Sequence, residues 1–263
     1  MTIVREVHDY LAAESEMTGG IPGIQLSVRA VRGRSASRPY GGFHDQLRLL
    51  DGRWGIAVGD VQAQSPASDE PVAAGKKMAR AVLRAMAMTG LPPGAVLAGM
   101  NRALLAWSRD EQCCLAVAYA DIELAWRGVR VRLCVAGGPT AFVRRTRGRV
   151  RAAGQPGHYL GLGPDAQLAD AQITLRPGDS MLLVAPEVLK AVGGADQICE
   201  ILACSGGGSA ARSTDAVLAA VRESGGGQVA QEAVVLALKV PLRKRNAGTH
   251  SAGWPGRPRY SGR

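Results

Sequence analysis

Aromatic residues are scarce in this sequence: 2 Phe, 5 Tyr and 4 Trp among 263 residues. Because 46% of the chain is hydrophobic and only 4% aromatic, its core has to be built from Ala, Val and Leu. No stretch approaches the roughly 20 apolar residues that a membrane helix needs. The amino terminus, MTIVREVHDYLAAESE, carries acids early and lacks the apolar run of a signal peptide. The reading is a cytoplasmic chain with no membrane contact. The five cysteines, Cys113, Cys114, Cys134, Cys199 and Cys204, are odd in number and show no C-x-x-C spacing. That arithmetic excludes a zinc finger and a disulfide scaffold, and it points to reduced packing residues.

Acid is also lacking at one end. The net charge is +10, but six basic residues and no acid fall between Arg243 and Arg263, so the rest carries only +4. That tail mixes Gly, Pro, Ser and Arg without periodicity, the composition of a disordered segment. Helix-turn-helix, RNA-recognition and zinc-finger patterns are missing too, so nucleic acid is not an expected partner. The length suits one domain with a substantial core. The expected organisation is an amino-terminal helix and linker over 1–22, a domain over 23–241 and a basic tail over 242–263.

Within the domain, hydrophobic period separates the elements. Residues 23–31 alternate as a strand, with Ile24, Leu26 and Val28 on one side. Asp51-Gly52 marks a hairpin between strands over 45–50 and 53–61, the second apolar on both faces as a central strand is. Helical spacing over 71–89 ends at Gly90, and Pro92-Pro93 opens a second helix through Ala106. The two helices form an antiparallel pair lying on one sheet. The period then returns to two, predicting strands over 113–121, 129–136, 140–145, 149–153, 171–176, 180–185 and 232–240. Helices are predicted over 187–192, 196–204 and 213–223. Strands interrupted by a helical pair, then closing helices before a last strand, make an α+β order, not a Rossmann alternation.

Several local sequences in this order resemble one family. Tyr40-Gly41-Gly42-Phe43-His44-Asp45 is similar to a G-G-D-F-Y-D segment, and Trp54 to Val61 to a strand ending in G-D-V. Leu97 to Leu105 carries an L-N-x-x-L-like helix, with Asn101 at the asparagine. Ala136-Gly137-Gly138-Pro139 stands for A-G-H-P, Leu160-Gly161-Leu162-Gly163 for P-L-G-L, and Pro177-Gly178-Asp179 opens a P-G-D-x-L-L-L strand. Six anchors in the right order, within a resemblance that runs from about Gly23 to Val240, resemble the metal-dependent protein phosphatase superfamily (protein phosphatase 2C-like), in particular its bacterial sporulation and stress-response branch. The resemblance implies an αββα sandwich: two stacked antiparallel sheets flanked by helices.

The resemblance also implies a chemistry, and the sequence departs from it. Active members hold two divalent cations, Mn or Mg, on aspartates, since hard cations want oxygen ligands and two adjacent dications need dense negative charge. Their bridging water attacks a phosphoserine or phosphothreonine. Of four family aspartates, the one in G-D-V is retained as Asp60. The one in G-G-D is missing, with Gly42 followed directly by Phe43 as if one residue were deleted. The one in T-D-G is Pro186, and Glu187 falls at the glycine. The one opening the last strand is replaced by Gln231-Glu232. Asp60 and Glu232 are thus the candidate residual metal ligands, no catalytic residue is assigned, and no cofactor is expected. The alternative is an active serine/threonine phosphatase with a reduced Mn or Mg site. The implied function is a pseudophosphatase that binds a regulatory protein, such as an anti-sigma-factor antagonist or related switch protein. Arg144, Arg145, Arg147 and Arg149 are candidate partner contacts, because clustered arginines suit acidic or phosphorylated surfaces. His44 and Asp45, adjacent on a strand, are expected to face opposite sides, leaving Asp45 a hydrogen-bonding role.

Overall fold

A computed structural model describes residues 20–31, 41–63, 70–107, 113–138, 141–224 and 233–242. Residues 1–19 of the expected amino-terminal helix and linker, Glu232 and the tail from 243 lie outside these. Two antiparallel sheets form the centre. One has β1 (Gln25–Val31) at its edge, then β11 (Ala233–Lys239), β10 (Ser180–Val184), β6 (Ala141–Arg144) and β7 (Val150–Ala153). The other runs β2 (Gly42–Arg48), β3 (Trp54–Ala63), β4 (Cys113–Ala125), β5 (Gly128–Ala136), with the short β8 (Pro156–Gly157) and β9 (Ala171–Leu175) both on the far side of β5. Every pairing is antiparallel except the two-residue β5–β8 contact.

The alternation of each strand sorts its side chains into layers. On β3 and β4, Ile56, Val58, Ala118, Ala120 and Ile122 fill the space between the sheets, together with Leu183, Leu236 and Leu238 from the other sheet. Their neighbours Ala57, Val61, Val117 and Tyr119 face outward, under α1 (Glu70–Ala87) and α2 (Pro93–Trp107). On the opposite outer face α3 (Pro186–Val192), α4 (Ala195–Cys204) and α5 (Ala210–Ser224) cover Phe142, Leu182, Val184 and Val235. The result is the expected αββα sandwich, and among the described residues the only fully buried large aromatics are Tyr119 and Phe142.

The paired helices approach closely at Gly99, where a Cβ would sit 2.2 Å from the Cε of Met86. Some boundaries differ from the sequence reading: β2 spans Gly42–Arg48 where the pattern predicts 45–50, and β4 runs on to Ala125 past the predicted 121. Helix α5 begins at Ala210, not at Ser213, because Ser209 Oγ accepts the amide of Arg212 (3.2 Å) and Ser213 is buried inside the helix. The two-residue strand β8 has too little pattern to be visible in the sequence.

Candidate functional site

Asp60 lies near the end of β3 and shares the inward face of Ile56 and Val58, so it closes one end of the space between the sheets. It is fully buried. Its Oδ2 accepts from Gln62 Nε2 (2.9 Å), while Oδ1 has no hydrogen-bond partner among the described residues. Burial pushes its carboxyl up to about 6; Glu187 pushes the same way, and Gln62, Lys190 and Lys76 pull against them.

The β2–β3 ladder shows what stands beside this carboxylate. Its register is unbroken from Gly42↔Asp60 to Arg48↔Trp54. Gly42 occupies the place directly opposite Asp60, where a cross-strand side chain would lie about 5 Å away. Gly41 cannot take over the part. A Cβ there would lie 1.8 Å from the carbonyl oxygen of Val61 and 2.9 Å from Asp60 Oδ1.

Pro186 opens α3, is buried, and follows Ala185, whose amide donates to Val234 O (2.8 Å) and so ties the helix start to β11. A proline in the first turn needs no amide partner, which is why it suits this position and offers no ligand oxygen. Glu187 follows, largely buried, with Oε1 2.6 Å from Lys190 Nζ one turn on. That bond raises the pKa of Lys190. Cys114, the cross-strand neighbour of Gln62, and Tyr159 complete the surroundings, and burial raises both, the thiol to about 11. The sequence reading set Glu187 aside and missed Gln62, Cys114, Tyr159 and Lys190. Gln62 was legible as the residue two beyond Asp60 on the same face.

Among the described residues no three His, Cys, Asp or Glu side chains cluster as a metal site. The carboxylates near this end, among the described residues, are Asp60 and Glu187, and the second is engaged by an ammonium. Two adjacent dications would find two carboxylates among the described residues where they need several. Among the described residues the orphaned Asp60 Oδ1 is a feature that suits a cation.

Loop 160–164 is held beside the cleft by Asn101 of α2. Its Nδ2 donates to Gly163 O (2.9 Å) and Pro164 O (3.3 Å), and its Oδ1 accepts from Gly161 N (2.7 Å). Leu160 bridges to Leu115 of β4 in both directions.

The remaining candidates lie elsewhere. Asp45 faces α1 and accepts from Arg84 Nε (2.8 Å) and Nη2 (3.0 Å), the hydrogen-bonding role expected for it, while His44 sits on the other face opposite Val58. The arginine cluster forms the β6–β7 hairpin, closed by Arg145 N to Arg149 O and Gly148 N to Arg145 O (2.8 Å each). Arg147 and Arg149 are exposed. Arg145 is engaged by Asp179 (2.9 Å) and Thr174 O (2.7 Å), and Arg144 is buried, donating to Leu202 O (3.0 Å).

A family model described as Stage II sporulation protein E (SpoIIE) matches residues 50–241. No curated protein sequence matches the chain significantly. Among solved structures it is similar to the RsbU and RsbW domains of Rv1364c from Mycobacterium tuberculosis (18% identity, TM-score 0.66), covering 85% of this chain and 63% of that one. It is similar to the SiaA-PP2C domain of Pseudomonas aeruginosa (16%, TM-score 0.65, 81% and 85% covered). It also resembles the PP2C phosphatase domain with a regulatory-domain fragment of SpoIIE from Bacillus subtilis (13%, TM-score 0.61, 84% and 64% covered). The chain thus spans less than two thirds of the first and third of these. At such identities the likeness is one of fold.

Proposed function

The chain belongs to the SpoIIE family of phosphatase-like domains, and from that premise we propose that it is a pseudophosphatase, a regulatory domain that binds a signalling protein at its sandwich end without hydrolysing a phosphoester. The observation that carries this reading is the register: glycine, not a carboxylate, faces Asp60 across the ladder. Pro186 on α3 and the Glu187–Lys190 pair extend the deficit to the other side of the cleft. The partner class is a regulatory protein, such as an anti-sigma-factor antagonist or a related switch protein. Structural neighbours named RsbU and RsbX support that class.

The test measures hydrolysis of a phosphoserine peptide and an aryl phosphate with manganese and with magnesium, for wild type and Asp60→Asn. Equal background rates are expected. Turnover by wild type that Asp60→Asn abolishes would overturn the reading. The converse variant, Gly42→Asp with Pro186→Asp, is expected to gain manganese affinity, since it returns carboxylates to the two deficient positions.

A second reading has one observation in its favour. The unpartnered, buried Asp60 Oδ1 is what a cation ligand looks like before the cation arrives. An active serine/threonine phosphatase with a reduced manganese or magnesium site would use Asp60 together with Glu232, which lies outside the described residues.

A further inference from the structure

At the opposite end of the β1-containing sheet, one row of cross-strand neighbours faces the α4–α5 layer. It reads Lys239 on β11, Ser180 on β10 and Arg144 on β6. Arg144 shares the outward face of Phe142, and Lys239 that of Val235 and Ala237. All three are more than nine-tenths buried. The row carries two cations and no acid. Burial of two positive charges on one row is costly unless a counter-charge is present. Burial and the neighbouring Arg144 together lower the pKa of Lys239.

The nearest acid is already taken. Asp179 Oδ1 accepts from Thr146 N (2.9 Å) and Thr146 Oγ1 (3.0 Å), and Oδ2 from Arg145 Nη1 (2.9 Å) and Arg176 N (3.0 Å). Arg144 spends only its Nε, on Leu202 O. Its Nη1 is buried without a hydrogen-bond partner among the described residues. Lys239 Nζ has a single long bond, 3.3 Å to Gly178 O. The guanidinium edge is instead faced by two glycines. A Cβ on Gly207 would sit 3.5 Å from Nη1, and one on Gly148 would sit 4.0 Å from Nη2. Gly207 is the middle of Gly206-Gly207-Gly208, between α4 and α5, with exposed Arg212 packed against Gly208.

We propose that Arg144 and Lys239 form a binding site for a phosphate-class oxyanion, roofed by the Gly206–Gly208 loop and the Gly148 turn. The geometry suits one such group. Neighbouring strands lie about 4.8 Å apart, so the two Cα atoms flank Ser180 at about 10 Å. Two long cationic side chains reach a tetrahedral oxyanion from both sides across that span. The oxyanion accepts from Nη1 and Nζ, and the glycine loop lets backbone come close without a side chain in the way. The site does not involve Asp60 and stands whether or not the cleft is catalytic.

The test titrates inorganic phosphate into the full chain at constant ionic strength, read by calorimetry and by Tm. Saturable binding with a Tm rise of several degrees is expected for wild type. Arg144→Gln and Lys239→Met are each expected to weaken it at least tenfold. If Arg144→Gln fails to fold, Lys239→Met, which removes an uncompensated charge, carries the comparison. The double variant Arg147→Ala, Arg149→Ala keeps wild-type affinity. Absence of saturable binding, binding that survives loss of Lys239, or loss in the Arg147 and Arg149 variant alone would overturn the proposal. A phosphoserine peptide separates the sources. Displacement of phosphate by the peptide assigns the site to a partner-borne phosphoryl group, and failure to displace assigns it to the free anion.

Discussion

Asp121 and Asp60 sit on neighbouring strands, β4 and β3, both almost completely buried, and the fold treats them in opposite ways. Asp121 faces the helix layer between two guanidinium groups. Arg53 from the hairpin end donates to it, and Arg132 grips both oxygens (3.0 and 2.5 Å). Arg53 also reaches Asp51 and Gly90 O, so the carboxylate ties β4 and β5 to the start of β3 and the turn between the paired helices. Asp60 faces the space between the sheets with one amide for company and one oxygen unmatched. A carboxylate that serves the scaffold has its charge balanced inside the scaffold. The one that does not is a cost, and its place in the fold has to be sought in what the cleft binds or once bound.

The largest test of this contrast is Asp121→Ala. It leaves two guanidinium groups without their acceptor, one of them well buried, and is expected to cost about 3–4 kcal/mol, read from urea unfolding. A loss below about 1 kcal/mol would make Asp121 no more structural than a surface pair.

Asp60→Asn is expected to act in the other direction. Raising the carboxyl from 3.8 to about 6 corresponds to a penalty of about 3 kcal/mol. Below about pH 4 folded and unfolded chains both hold the proton, and the penalty is absent. Between pH 4 and 6 the unfolded chain releases its proton first, so stability falls as pH rises, and above that range the full penalty applies. Asp60→Asn is therefore expected to gain about 2–3 kcal/mol over wild type at pH 8 and nothing at pH 4. A variant less stable than wild type at pH 8 would place Asp60 among the structural carboxylates.

A smaller effect separates the two neighbours of Asp60. Glu187→Gln removes a negative charge that holds the Asp60 carboxyl up and also breaks the bond to the exposed Lys190. The net stability change at pH 7 is expected to stay within about 1 kcal/mol. The informative readout is the pH at which the wild-type to Asp60→Asn difference sets in, which moves down when Glu187 is neutral; an unmoved onset would show that Glu187 does not act on Asp60. The smallest expected effect is that of manganese. At millimolar concentration it should leave the Tm of wild type within 1 °C, and a rise that Asp60→Asn removes would favour the reduced metal site.

The ladder, the helix pair and the closing helices were legible because period, glycine and proline punctuate them locally. Gly90 ends α1, Pro93 opens α2, and Asp51-Gly52 turns β2 into β3. What stands across from Asp60 was not legible, because the pairing of Gly42 with it depends on cross-strand register and not on any local pattern. Glu187 and Lys190 were missed for another reason. Their relevance depends on where α3 lands at the end of the sandwich, which no local pattern encodes. For the arginines the signal was present and unused: on a four-residue strand, Arg144 shares the parity of Phe142 and belongs inside, whereas Arg147 and Arg149 belong to the turn.

Asn101 has a mechanical side. A single amide clasps the loop that runs past the cleft and roots it in a helix on the outer surface, so the rim is tied directly to α2. Leu160 pins the same loop to the central ladder. Load applied to the outer face of α2 reaches the rim through three hydrogen bonds on one side chain, and cutting them with Asn101→Ala would uncouple surface from cleft while leaving both in place.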